Sequence, residues 1–178
     1  MSTRWDFKNN INISNRKFLK IYRFYVIETP VRGVSVRGKT FTERNCNLSE
    51  LVRLLKKQSP FLSSCWYDKP QKEIEATCKA LGIFDVVNFD KEIAIHTINQ
   101  KIIDPESALK LHHGKAESLF YAIRCAFAHG AFALHKYKGE NYYVLENKDN
   151  GKLKGRLIIK ENTLLSWIDL IETHYPIA

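Results

Sequence analysis

The stretch from Glu117 to Gly130, ESLFYAIRCAFAHG, constrains this chain more than any other. On a helix, Leu119, Phe120, Ile123, Ala126 and Phe127 recur at three- and four-residue steps and form one apolar stripe, the pattern of a helix facing a core. Off that stripe sit Tyr121, Arg124, Cys125, Ala128 and His129. The i,i+5 spacing of Arg124 and His129 sets them ~140° apart around the axis and ~7.5 Å apart along it. They therefore flank a shallow floor instead of touching, and Cys125 and Ala128 are small enough to let another backbone or a substrate approach it. Gly130 is the residue type that most readily takes the left-handed conformation after a helix, which puts His129 in the last turn. There the negative end of the helix dipole favours an imidazolium.

A length of 178 residues with 44% hydrophobic content predicts one globular domain spanning 1–178. No apolar run approaches the ~20 residues of a membrane span, and the opening MSTRWDFKNN lacks the apolar stretch of a signal peptide, so a cytoplasmic protein with no membrane partner is expected. Cys46, Cys65, Cys78 and Cys125 form no C-x-x-C pair, which argues against a zinc ribbon or a dithiol redox site. His112 and His113 are adjacent but lack ligand spacing, and no metal or cofactor is assigned. The net charge of +9 is uneven: Met1 to Leu62 holds 13 Lys and Arg against 4 Asp and Glu, whereas Ser63 to Ala178 holds 15 of each. Such a basic block can steer a polyanion such as RNA; solvated helix faces are the ordinary alternative.

Along the chain, Arg16 to Val26 reads as a helix stopped by Thr29-Pro30, although IYRFYVIE also suits a strand. Residues 31–46, VRGVSVRGKTFTERNC, form a flexible basic loop with Arg32, Arg37, Lys39 and Arg44 as candidate phosphate contacts and Phe41 as a candidate stacking group. A solvated surface loop fits equally well. Asn47 caps a helix with Glu50 placed for a capping box and Leu48, Leu51, Val52, Leu54 and Leu55 as its buried side; Ser59-Pro60 ends it. Phe61 to Tyr67 suits core or a partner surface. A helix follows from Pro70 to Ala80, closed by Gly82, with Ile74, Cys78 and Leu81 inward. Ile83 to Ile103 is read as mainly helix, and Asp104-Pro105 opens a short one ending at His113-Gly114. After the Glu117 helix, residues 142–159 read as a β-hairpin turning at Asp149-Asn150-Gly151, and Asn162 or Thr163 caps a last helix that ends near Tyr175-Pro176. The expected fold class is mainly all-α, an antiparallel helical bundle with a small β-hairpin insertion before the last helix.

Arg124, four residues, then His129-Gly130, late in an amphipathic helix and followed by a hairpin and another apolar helix, resembles the Arg-x4-6-His motif of the HEPN superfamily, small helical domains that include many metal-independent ribonucleases. That family usually has a polar residue directly after the Arg, where this chain has Cys125. The resemblance implies an endoribonuclease of the kind that serves as a bacterial toxin or in defence against phage, held silent by an antitoxin or other regulatory protein. RNA carries its own nucleophile, the 2′-hydroxyl, so its cleavage requires proton transfer and charge stabilisation without a metal. His129 suits the proton transfer and Arg124 the phosphate oxygens, which makes these the catalytic candidates. Cys125 would line the cleft and Tyr121 would line it or simply pack, while His112, His113, Lys115 and His135 are candidates for secondary phosphate contacts, with plain surface positions as the ordinary alternative. The resemblance also implies a homodimer whose two motifs face each other, with Cys125 and Ala128 as the contact floor. The alternative is a catalytically silent HEPN module binding RNA, nucleotide or a protein partner, favoured by Cys125 standing where a polar residue is usual.

Overall fold

The structure, a computed structural model, describes residues 15–58, 62–67, 71–82, 92–98 and 115–177. Helix α1 (Arg16–Tyr22) begins under Asn15, whose Oδ1 accepts from the Lys17 backbone N–H at 2.9 Å, and it runs on into a π-helical turn, Arg23–Ile27. The wider winding sets Phe24, Tyr25 and Val26, three consecutive residues, against the core. Helix α2 (Leu48–Gln58) is capped by Asn47, whose Oδ1 accepts from Ser49 and Glu50 N–H at 3.1 Å each. Glu50 does not close a capping box; its carboxylate takes the Arg53 Nε–H at 2.8 Å. Strand β1 (Leu62–Tyr67), helix α3 (Gln71–Ala80) and strand β2 (Ile93–Ile98) form a β-α-β unit whose two strands are parallel. Helix α4 (Lys115–Ala128), strands β3 (Phe132–Tyr137), β4 (Glu140–Asp149) and β5 (Lys152–Lys160), and helix α5 (Glu161–His174) complete the order.

The strands make one five-stranded mixed sheet in the order β1-β2-β5-β4-β3, antiparallel everywhere except between β1 and β2. Helices lie on both of its faces. Ala94, Tyr143, Leu145, Leu157 and Ile159 point into a large core with Phe18, Tyr25, Phe41, Leu51, Leu55, Phe120, Phe127 and Trp167; Ile93, Ile95, Tyr142, Val144 and Ile158 point the other way, onto Ile74 and Cys78 of α3. Alternation along each strand assigns side chains to the two faces.

This mixed α/β architecture overturns the expected all-α bundle. The helix expected over Ile83 to Ile103 contains strand β2 instead; apart from Glu92, the rest of that stretch lies outside the described residues. A strand buried on both faces presents a nearly continuous apolar run, and IAIHTI by itself does not distinguish that from a buried helix. The hairpin over 142–159 is present but is no insertion: β4 and β5 are interior strands, and β3, which was not expected, extends them to a meander. Helix α5 starts at Glu161 straight out of β5 with no side-chain cap, and Thr163, expected as a capping residue, donates its hydroxyl to Glu92 Oε1 at 2.6 Å. The helix expected at Asp104 to Gly114, with His112 and His113, lies outside the described residues, as do the side chains of β1 and of Lys115.

Candidate functional site

Helix α4 is threaded through the molecule. Phe120 sits between Tyr25 (ring centroids 5.4 Å), Phe41 (5.3 Å) and Trp167 (6.3 Å), and Phe127 meets Tyr143 (5.3 Å) and Phe132 (4.9 Å). The helix ends as its sequence predicts. His129 N–H donates to Cys125 O at 3.0 Å, Gly130 N–H to Phe127 O at 3.2 Å, and Ala131 N–H to Ala126 O at 2.8 Å, with Gly130 at φ +67°. This is a Schellman closure, and the Glu146 N–H bond to Ala131 O at 2.9 Å fastens it to β4. His129 is exposed on this fixed corner.

Arg124 is half-buried, and its Nε is enclosed with no hydrogen-bond partner among the described residues. The Glu146 carboxylate is taken elsewhere: its Oε1 lies 3.1 Å from both Nε and Nη2 of Arg156, and its Oε2 lies 3.1 Å from Lys148 Nζ. Glu117 is two turns before Arg124 on the same side of α4 and exerts its charge on Cys46, whose thiol pKa is pushed up chiefly by burial and held back by a hydrogen bond with Tyr175. Tyr121 is half-buried and packs on the large core. Cys125 is only 5% exposed, so it is not a floor on which a second α4 can rest; Ala128 is half-buried.

The basic loop, 31–46, is ordered and is not a flexible strap. Val36 and Arg37 N–H groups both bond Ile27 O (3.2 and 3.1 Å), and Phe41 N–H bonds Pro30 O (2.7 Å). Phe41, expected as a stacking group for a base, is fully buried edge-to-face on Phe120. Arg44, expected on substrate, is buried, with Nε donating to Lys39 O (3.0 Å) and Nη1 to Tyr175 O (2.8 Å), which fastens the loop to the residue just after α5. Burial lowers its pKa, opposed by Glu172 and Glu28. Lys39 is half-buried, while Arg32 and Arg37 are exposed. The loop thus meets α4 at Phe120, whereas His129 lies nine residues, ~13.5 Å of helix, further on. The described contacts gather the two ends of the candidate site at different ends of α4. His135 lies on edge strand β3, half-buried.

The buried pair Glu146–Arg156 beside Cys78 does not stand out in the sequence; burial raises the Cys78 pKa and the Arg156 charge opposes that rise. The local signal for the pair is the Asn-Gly turn, which sets the register of β4 on β5 to within one residue. No group of three metal-ligating side chains occurs among the described residues, and none of their helices is long and apolar enough to cross a membrane. No family model matches the chain, and no curated protein or solved structure matches it either.

Proposed function

We propose that this protein is a metal-independent endoribonuclease in which Arg124 binds the scissile phosphate and His129 moves protons. The observation that carries the reading is the half-buried Arg124, whose enclosed Nε has no hydrogen-bond partner among the described residues. Enclosing a guanidinium donor without a partner is costly, and the part of this half-buried side chain that remains open is where an anion would approach. The exposed His129 at the hydrogen-bonded end of the same helix, ~7.5 Å further along the axis, supplies an imidazole for proton transfer. In the reaction the 2′-hydroxyl oxygen bonds to phosphorus as the bond from phosphorus to the 5′-oxygen breaks, leaving a 2′,3′-cyclic phosphate and a 5′-hydroxyl. One proton leaves the 2′-oxygen and one reaches the 5′-oxygen. A single His129 does one of these at a time, so a homodimer bringing in a second His129 completes the pair. Since Cys125 is inside the chain, the two copies would meet at the exposed corner around Ala128 to Gly130. A toxin or anti-phage role under a regulatory partner accords with this activity.

A second reading, an RNA-binding module without catalysis, is favoured by the buried Cys125, which leaves no polar side chain directly after Arg124. Incubation of the purified chain with RNA in EDTA separates the two. The nuclease reading expects cyclic-phosphate ends, with His129→Ala and Arg124→Ala each slowing cleavage by about 10²-fold or more. Undiminished cleavage by both variants would remove it, and RNA binding without cleavage by any form would establish the second reading.

A further inference from the structure

We infer that the exposed side of α1 and the tip of the basic loop form a docking surface for an acidic protein segment bearing aliphatic side chains; this does not rest on the nuclease reading. Three of the large hydrophobic side chains left in solvent collect there: Val36 is 70% exposed, Leu19 47% and Ile27 37%. Leu19, Arg23 and Ile27 follow one another at four-residue steps, and the Val36 and Arg37 N–H bonds to Ile27 O seat the loop tip against the end of that row. The surface is built, not loose. Gly38 passes so near the preceding turn that a Cβ there would fall 2.1 Å from Glu28 O, and Ser35 Oγ donates to Gly38 O at 2.7 Å and accepts from Gly38 N–H at 3.0 Å. Such preorganisation reduces what binding loses in ordering the surface.

Charge and side-chain type together select the occupant. Arg37, whose N–H bonds Ile27 O, is exposed at the end of the aliphatic row, Arg32 is exposed on the same loop, Arg23 is held by Glu28 at 2.7 Å, and all the excess positive charge of the chain lies in its first 62 residues. Carboxylates of a partner complement this charge. RNA would use aromatic stacking groups, yet Phe41 is spent in the core and the side chains offered to solvent are aliphatic, which pair with aliphatic side chains and not with bases. A mixed aliphatic and basic surface fits an amphipathic segment with Leu- or Ile-type residues flanked by Asp or Glu.

The test titrates the full chain into a labelled synthetic helical peptide with Leu on one face and Glu beside it. The same peptide with Leu→Ser, a labelled poly-U oligonucleotide, and phosphatidylserine vesicles are run in parallel. The Leu/Glu peptide should bind, and Leu→Ser in the peptide, Val36→Asp or Arg37→Glu in the protein should each weaken binding about tenfold or more. Circular dichroism checks that both protein variants remain folded. Equal binding of the Leu→Ser peptide would reduce the interaction to charge alone and overturn the proposal. So would a Val36→Asp effect seen with poly-U or with vesicles and not with the peptide, which would assign the surface to RNA or to lipid.

Discussion

Arg124, half-buried with an enclosed Nε, and Arg156, buried, are guanidiniums in opposite circumstances. Arg156 meets the Glu146 carboxylate at 3.1 Å on the side of the sheet covered by α3, while Arg124 lacks any such partner among the described residues. Breaking a buried pair strands a charge, so Glu146→Ala should cost about 3–5 kcal/mol in urea unfolding. Arg124→Met strands nothing and should leave stability unchanged within about 1 kcal/mol, or raise it. A large loss from Arg124→Met would mean that this side chain is structural. Tyr143 offers a pH test. Its hydroxyl is buried without a hydrogen-bond partner, and burial, with the Glu161 charge, holds its pKa well above the usual phenol range. A folded pKa above the unfolded one means that the folded state keeps its proton longer, so the associated stability is complete below about pH 10 and falls as pH rises beyond it. Tyr143→Phe should be neutral or stabilising at pH 7 and lose less stability than wild type between pH 10 and 11.5. Tyr25, also raised by burial, contributes in the same direction and remains in both proteins.

Among the elements, the loop between α1 and α2 shows how a stretch without regular structure is fixed. Gly33 has φ +79° with open space around it, while Gly38 is ordinary in φ but abuts the Glu28 carbonyl. Gly33→Ala should therefore cost only the left-handed strain of about 1 kcal/mol, and Gly38→Ala should cost clearly more, because backbone has to move. Thermal melts of the two variants check the order; equal losses would show that the loop tip is not held against the π-helical turn. The β4–β5 hairpin makes a related point. Its Asn150-Gly151 turn sets Asp149 opposite Lys152, and continuing that register would put Glu146 across from Gly155. The extra residue Lys154 shifts the ladder by one, so that Glu146 faces Arg156 and Leu153 turns toward α3. A turn signal fixes a hairpin; a bulge decides which charges meet.

At the scale of the whole molecule, a sheet with helices on both faces accounts for the elements that were legible in the sequence and those that were not. The Arg124 and His129 candidates were legible because they hang on one helix and its stop, and α2, α3 and α5 were likewise readable as helices. Strands β2 and β3 were not: each pairs with residues far away in sequence or at the edge of a meander, and an apolar run takes its state from what covers it. The loop's Phe41 and Arg44 looked like solvent groups until Phe120 and Tyr175 enclosed them, and Cys125 looked like a contact floor until the chain buried it. The sequence alone determined the Asn47 cap, the left-handed stop at Gly130 and the turn at Asn150-Gly151, because backbone sterics and capping hydrogen bonds act within a few residues. Sheet order, the two cores and which charged groups remain available to a ligand were decided only by the tertiary structure, because burial depends on neighbours that the local chain does not contain.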